Sequence, residues 1–63
     1  MKNKLKETRD KKKISQEELS IKSGVSRTTI SNIENNENVI VKTSTLIAIA
    51  EALGETVSDI FFN

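Results

Sequence analysis

Apolar residues along the 63-residue chain recur every three or four positions, which is the spacing of one face of an α-helix. Polar stretches rich in Ser, Thr, Asn and Gly separate the apolar runs and mark expected helix ends. The pattern predicts an all-α chain that folds as a compact group of five helices. The first four are expected at about 2–12, 16–23, 27–35 and 46–53, and a short fifth helix follows them.

Capping residues define the second and third helices. Ser15 followed three residues later by Glu18 forms a capping-box pattern, and Gly24 readily adopts the left-handed conformation that closes a helix. Ser26 can cap the third helix, which is expected to end at Glu34 or Asn35 because a cluster of turn-forming residues follows. These signals predict a helix-turn-helix over about residues 15–35.

The fourth helix is expected to begin at Leu46, with Ser44 or Thr45 as its cap, and to end at Leu53 before Gly54. It is apolar on nearly every side, which is typical of a helix at the centre of a small domain.

Residues on either side of the fourth helix complete the predicted core. The β-branched run 39–41 is interpreted as a loop that lays Val39 or Val41 on the core, and Thr56 or Ser58 is expected to open the last helix. Ile21, Ile47 and Phe62 are left outside the core. The predicted core consists of Leu5, Ile14, Leu19, Val25, Ile30, Ile33, Leu46, Ile49, Ala50, Leu53, Val57, Ile60 and Phe61.

The composition removes several classes of chemistry. The chain has no Cys and no His, which excludes disulfides, thiolate zinc sites, and cysteine or imidazole catalysis. Its longest apolar run, 46–50, is far shorter than the roughly 20 residues of a membrane span. Neither a glycine-rich phosphate loop nor a nucleophile–base pair is evident. These features predict one cytoplasmic domain over residues 1–63 that is not an enzyme and needs neither a metal nor a cofactor.

Charge is distributed unevenly along the chain, although the net charge is only +1. Residues 1–13 have seven basic and two acidic side chains, a formal charge of +5, whereas the rest of the chain carries −4. The first helix also has only a thin apolar face, formed by Met1, Leu5 and Thr8 with Arg9 beside them. Its basic surface could face a polyanion, and a lysine-rich helix that is simply solvated remains the equal alternative.

The run 15–34 resembles the helix-turn-helix of the lambda-repressor-like (Cro/Xre) family. Gln16, Leu19, Gly24 and Ile30 all fall at the offsets that this family uses, as does the glutamate at the end of the run. The segments 45–54 and 59–61 resemble the family's fourth and fifth helices, so the similarity extends from about residue 5 to residue 62.

Three positions depart from the family pattern. Ser20 replaces a common alanine, Asn36 stands where glycine is frequent, and the linker 34–46 lacks proline and is one residue longer.

The resemblance implies sequence-specific binding to double-stranded DNA by a bacterial, phage or other mobile-element regulator, a repressor in the leading interpretation. The third helix itself favours this reading, because a narrow apolar stripe backs a polar face that suits a major groove about 12 Å wide. Arg27 can fork onto guanine and Asn32 onto adenine. A helix face that is merely solvated is the alternative for these residues taken alone. The expected DNA-binding residues are Gln16, Ser26, Arg27, Thr28, Thr29, Ser31, Asn32 and Asn35.

Further expectations follow from the same resemblance. Arg9 and Glu34 are expected to form a structural salt bridge between the first and third helices. The operator is expected to be palindromic and bound by a homodimer that forms in solution or only on DNA. Phe62 is the candidate dimer contact, and a role as a lid on the core is equally compatible with its position. The alternative function is a protein-interaction or antitoxin-like module that reuses the same fold.

Overall fold

A computed structural model describes residues 2–62, and within them the chain forms five helices and no strand. This confirms the predicted all-α class and the number of helices. Met1, which was expected on the face of the first helix, lies outside the described residues. The helices are α1 (Leu5–Lys11), α2 (Gln16–Ser23), α3 (Arg27–Asn35), α4 (Thr43–Leu53) and α5 (Val57–Phe61).

The corner between α2 and α3 has the predicted capping interactions. Ser15 Oγ accepts from the backbone N–H of Glu18 at 3.0 Å, and the Glu18 carboxylate accepts from the Ser15 N–H at 3.1 Å. Gly24 closes α2 with φ +74°, and Ser26 caps α3 by accepting from the N–H of Thr29. Strong local signals therefore define both helices of the pair.

The start of α1 differs from the prediction, since the helix begins at Leu5 rather than near residue 2. The preceding residues make other contacts. The Asn3 side chain accepts from the Leu5 N–H and donates to the carbonyl of Ile33, while the Lys4 N–H donates to the carbonyl of Ile60. These contacts tie the start of the chain to the end of α3 and to α5, so residues 2–4 do not continue the helix.

The turn after α1 contains Lys13 in the left-handed conformation, with φ +56°, although it is not glycine. The N–H of Ile14 donates to the carbonyl of Arg9, and the N–H of Lys13 donates to that of Asp10. This is the Schellman pattern, in which glycine usually occupies the left-handed position.

The predicted start of α4 is wrong by one turn. The helix begins at Thr43, and neither Ser44 nor Thr45 caps it, because Lys42 is the N-cap and makes no side-chain cap bond. The Lys42 carbonyl instead accepts from the N–H groups of Thr45 and Leu46. These backbone bonds extend the helix by about one turn through residues of modest helix propensity.

The core lies between the helices, with α4 packed against both α2 and α5. Ile14, Val25 and Val57 were predicted to belong to the core and pack against it while only partly buried. Val39 and Val41 both pack against it from their loop, whereas the intervening Ile40 is 97% exposed. The buried apolar residues of the core are Leu5, Leu19, Ile30, Ile33, Leu46, Ile49, Ala50, Leu53, Ile60 and Phe61.

Thr56 rather than Ser58 caps α5, since the Thr56 hydroxyl accepts from the N–H of Asp59 at 3.1 Å.

Within residues 2–62, every helix is too short or too polar to cross a bilayer.

Candidate nucleic-acid interface

The third helix is polarised between core and solvent. Ile30 and Ile33 are completely buried, whereas Arg27, Thr28 and Asn32 are exposed on the opposite side. The nine residues of α3 extend over about 13 Å at 1.5 Å per residue. The B-DNA major groove, about 12 Å wide, admits one α-helix, whose diameter with side chains is about 10–12 Å, so the exposed polar face of α3 can enter it.

A shallow depression brings the start of α2 next to the outer face of α3. It has a volume of about 270 Å³. Five of the eight side chains that the sequence assigned to DNA binding line it, and these are Gln16, Arg27, Thr28, Ser31 and Asn32. Residues separated by up to 16 positions along the chain therefore form one polar surface with one cation.

Ser26 and Thr29 lie at the first turn of α3 and are bonded to each other. Ser26 Oγ accepts from the Thr29 N–H at 3.1 Å and donates to Thr29 Oγ1 at 2.8 Å. Ser26 is exposed and Thr29 is half-buried. Both hydroxyls thus have a structural role at the helix start, and neither lines the depression.

Asn35 is the last residue of α3 and lies outside the depression. Its Nδ2 donates to Ser31 Oγ at 3.2 Å, one turn earlier on the same exposed side. About 12 Å of helix axis separate it from Arg27. Asn35 and the first turn of α3 are therefore at opposite ends of one polar face.

Arg9 and Glu34 form an ion pair beneath this face. Arg9 Nε and Nη2 donate to the two carboxylate oxygens at 2.9 and 3.2 Å, and Nη1 donates to the Ile14 carbonyl at 2.8 Å. Only 11% of the Arg9 side chain and 2% of the Glu34 side chain are exposed. The hydrogen bonds to Glu34 raise the pKa of Arg9 above its usual value, so the Arg9 guanidinium stays protonated.

Gln16 also binds Glu34, a contact that the sequence analysis missed. Its Nε2 donates to Glu34 Oε1 at 3.0 Å across 18 positions of the chain. Helical periodicity reports which residues share a face but not which polar groups meet between two helices, so no sequence signal indicated this bond.

Part of the positive charge of the N-terminal region is paired within the fold. Lys12 Nζ lies 3.1 Å from the carboxylate of Glu55, which follows the end of α4, and Lys11 Nζ lies 3.9 Å from the carboxylate of Glu7 on α1 itself. Among residues 2–62, no group of three or more acidic side chains is placed to hold a metal ion.

The helix pair and its polar outer face define a DNA-binding helix-turn-helix protein. A helix-turn-helix family model of the lambda-repressor-like type matches residues 5–60, nearly the whole chain. The chain therefore belongs to this family of DNA-binding regulators. No curated protein matches it significantly.

Proposed function

We propose that the protein is a transcriptional repressor that binds a specific sequence of double-stranded DNA, with α3 in the major groove. The observation that carries this proposal is the division of α3 between its buried stripe, Ile30 and Ile33, and its exposed polar face. The protein would act in the cytoplasm, where its binding to an operator would block access of other proteins to the same DNA.

Arg27 and Asn32 are the proposed base readers. Both are exposed and line the depression between α2 and α3. The guanidinium of Arg27 can donate to O6 and N7 of guanine, and the amide of Asn32 can pair with N6 and N7 of adenine. Thr28 and Ser31 lie beside them and offer hydroxyls to neighbouring base edges.

The remaining polar residues are proposed to position the helix on the sugar–phosphate backbone. Ser26 and Thr29 lie at the N-terminal turn of α3, where free backbone N–H groups and the helix dipole favour anions. Asn35 is proposed to reach a phosphate at the other end of the helix. Such contacts supply affinity without sequence information.

A homodimer on a palindromic site is proposed because one copy presents few base-reading groups. Half-sites one helical turn apart, about 34 Å, would place two α3 helices on the same side of the duplex. Phe62 is the proposed contact between copies, and its exposure of 62% supports an intermolecular role better than a lid on the core.

Selection of bound duplexes from a random library tests sequence-specific binding. Affinity for the enriched site is then measured for Arg27→Ala and Asn32→Ala, with Lys42→Ala as a control that removes an exposed cation from the N-cap of α4. Each of the first two variants is expected to lose about 1–3 kcal/mol of binding free energy at one base position.

A library that yields no enriched sequence would contradict sequence-specific binding. Uniform losses across all duplexes would assign Arg27 and Asn32 to the phosphates instead.

A further inference from the structure

The segment between α3 and α4 exposes one isoleucine almost completely. Ile40 is 97% exposed, whereas Val39 and Val41 on either side of it pack against the core. Exposure that alternates from one residue to the next is the pattern of a β-strand that lays one face on a core. The segment belongs to the linker 34–46, which is one residue longer than the common form, so the family pattern does not account for Ile40.

The backbone of this segment also has hydrogen-bonding groups without partners. The N–H of Val39 donates to the Asn36 carbonyl in the turn that follows α3. Among residues 2–62, no hydrogen bond is made by the N–H groups of residues 40–42 or by the carbonyls of residues 39–41. A strand with unpaired N–H and C=O groups is a template for a second strand.

We propose that residues 39–41 pair with the same residues of a second copy, as a two-stranded antiparallel ribbon, when two copies occupy one DNA site. This inference rests on the proposed function and adds a contact to the one proposed at Phe62. The register follows from the alternation, because residues directly opposite each other share one face of a ribbon. A two-fold axis at Ile40 meets this condition. It pairs Val39 with Val41 of the second copy on the core side, and Ile40 with Ile40 of the second copy on the other side.

Charges at the two ends of the segment favour a second copy of this chain as the partner strand. Glu37 precedes the segment and Lys42 follows it, and both are exposed. Neither forms an ion pair within the described part of the chain. Antiparallel pairing brings the Lys42 end of one copy to the Glu37 end of the other at both ends of the ribbon. Opposite charges across a strand pair are favourable, whereas parallel pairing would place like charges together.

The size and place of the segment indicate that the pairing needs DNA. Two three-residue strands cover far less than the roughly 1,200 Å² of buried surface that stable protein complexes need. On a palindrome with half-sites about 34 Å apart, the two-fold axis lies about 17 Å from the centre of each α3. Half of α3 and five extended residues span at most about 23 Å, so Ile40 can reach the axis.

Ile40→Cys tests the pairing directly, because the chain has no other thiol. Opposite Cα atoms in an antiparallel pair lie about 4.5–5.5 Å apart, within the range of about 4.4–6.8 Å that a disulfide spans. Mild oxidation is expected to link the copies roughly tenfold faster on a palindrome of two selected half-sites than on one half-site, because the palindrome holds the two thiols at a high effective concentration. Ile21→Cys, at another exposed isoleucine, is the matched control and should show no such difference.

A charge-reversal pair tests the antiparallel arrangement. Cooperativity is measured as the affinity of the second copy for the palindrome divided by the affinity of one copy for an isolated half-site. This ratio cancels the effect of each charge on DNA binding by a single copy. Glu37→Lys alone and Lys42→Glu alone are each expected to lower the ratio roughly threefold, and the double variant is expected to restore it. Glu51→Lys, at an exposed acid on α4, should leave the ratio unchanged.

The outcomes separate this inference from the proposed function. Fast linkage of Ile40→Cys on the palindrome alone, with rescue of cooperativity by the double charge reversal, supports the ribbon. Linkage at the rate of Ile21→Cys, or single charge variants that the double variant does not rescue, overturns the ribbon while DNA binding itself persists. Absence of duplex binding by the unaltered protein contradicts the proposed function instead. Circular dichroism below the unfolding transition establishes that each variant is folded.

Discussion

Arg9 and Glu34 form a two-point ion pair that joins the end of α1 to the last turn of α3. The guanidinium uses Nε and Nη2 on the carboxylate and keeps Nη1 for the Ile14 carbonyl, one residue before the cap of α2. One side chain of α1 thus connects α3 and the turn that leads into α2 at the base of the candidate interface. Arginine suits this position because its planar fork matches a carboxylate and still has donors left.

Glu34→Ala is expected to lower the free energy of unfolding by about 2–4 kcal/mol, because it leaves the nearly buried Arg9 guanidinium without its partner. Glu37→Ala serves as the matched control, since it removes an exposed glutamate a short distance along the chain. Urea unfolding of both variants measures the difference. Curves for Glu34→Ala that coincide with those of the parent would show that the pair contributes nothing.

Lys13→Gly is expected to stabilise the protein by about 1 kcal/mol, because Lys13 holds a left-handed conformation that costs side chains other than glycine about that much. In a chain of this size that change corresponds to a rise in Tm of roughly 4–8 °C. Lys13→Ala is the control, since it removes the charge and retains the Cβ atom. Equal Tm values for the two variants would mean that the conformation of Lys13 carries no strain.

The sequence predicted the structure best where capping residues mark the ends of helices. Ser15 with Glu18, Gly24 and Ser26 place both ends of the turn between α2 and α3, because each acts through backbone groups a few residues away. The buried stripe of α3 also follows from periodicity alone.

Contacts between distant segments account for what the sequence did not predict. The late start of α1 depends on the bond from Asn3 to the Ile33 carbonyl, 30 positions away. The orientation of Gln16 depends on Glu34, which lies on another helix. Neither partner can be identified from spacing along a single helix, because the packing of the helices decides which polar groups meet.

Ser26→Asp is expected to separate the structural role of this residue from its proposed role at DNA. Aspartate is as good an N-cap as serine, so the free energy of unfolding should stay within about 0.5 kcal/mol of the parent. The added negative charge should lower affinity for every duplex, since it would face the phosphates. Thermal unfolding and duplex titration measure the two effects. Unchanged affinity would place Ser26 away from the DNA, and Ser26→Asn controls for the change in side-chain size.

Phe62→Ala is expected to weaken binding to a palindromic site while leaving stability within roughly 0.5 kcal/mol, because a mostly exposed side chain contributes little to the core. The affinity for an isolated half-site should not change. Sedimentation of the protein–DNA complex measures the number of copies bound. Equal affinity of the parent and the variant for the palindrome would contradict a contact between copies at Phe62.

NMR titration with a duplex at low ionic strength tests directly whether α2 and α3 bind the DNA. The largest changes in backbone amide shifts are expected at the first turn of α2 and along residues 27–35, and raising the salt concentration should reverse them. No change on addition of duplex, or changes confined to elements other than α2 and α3, would contradict binding through this surface.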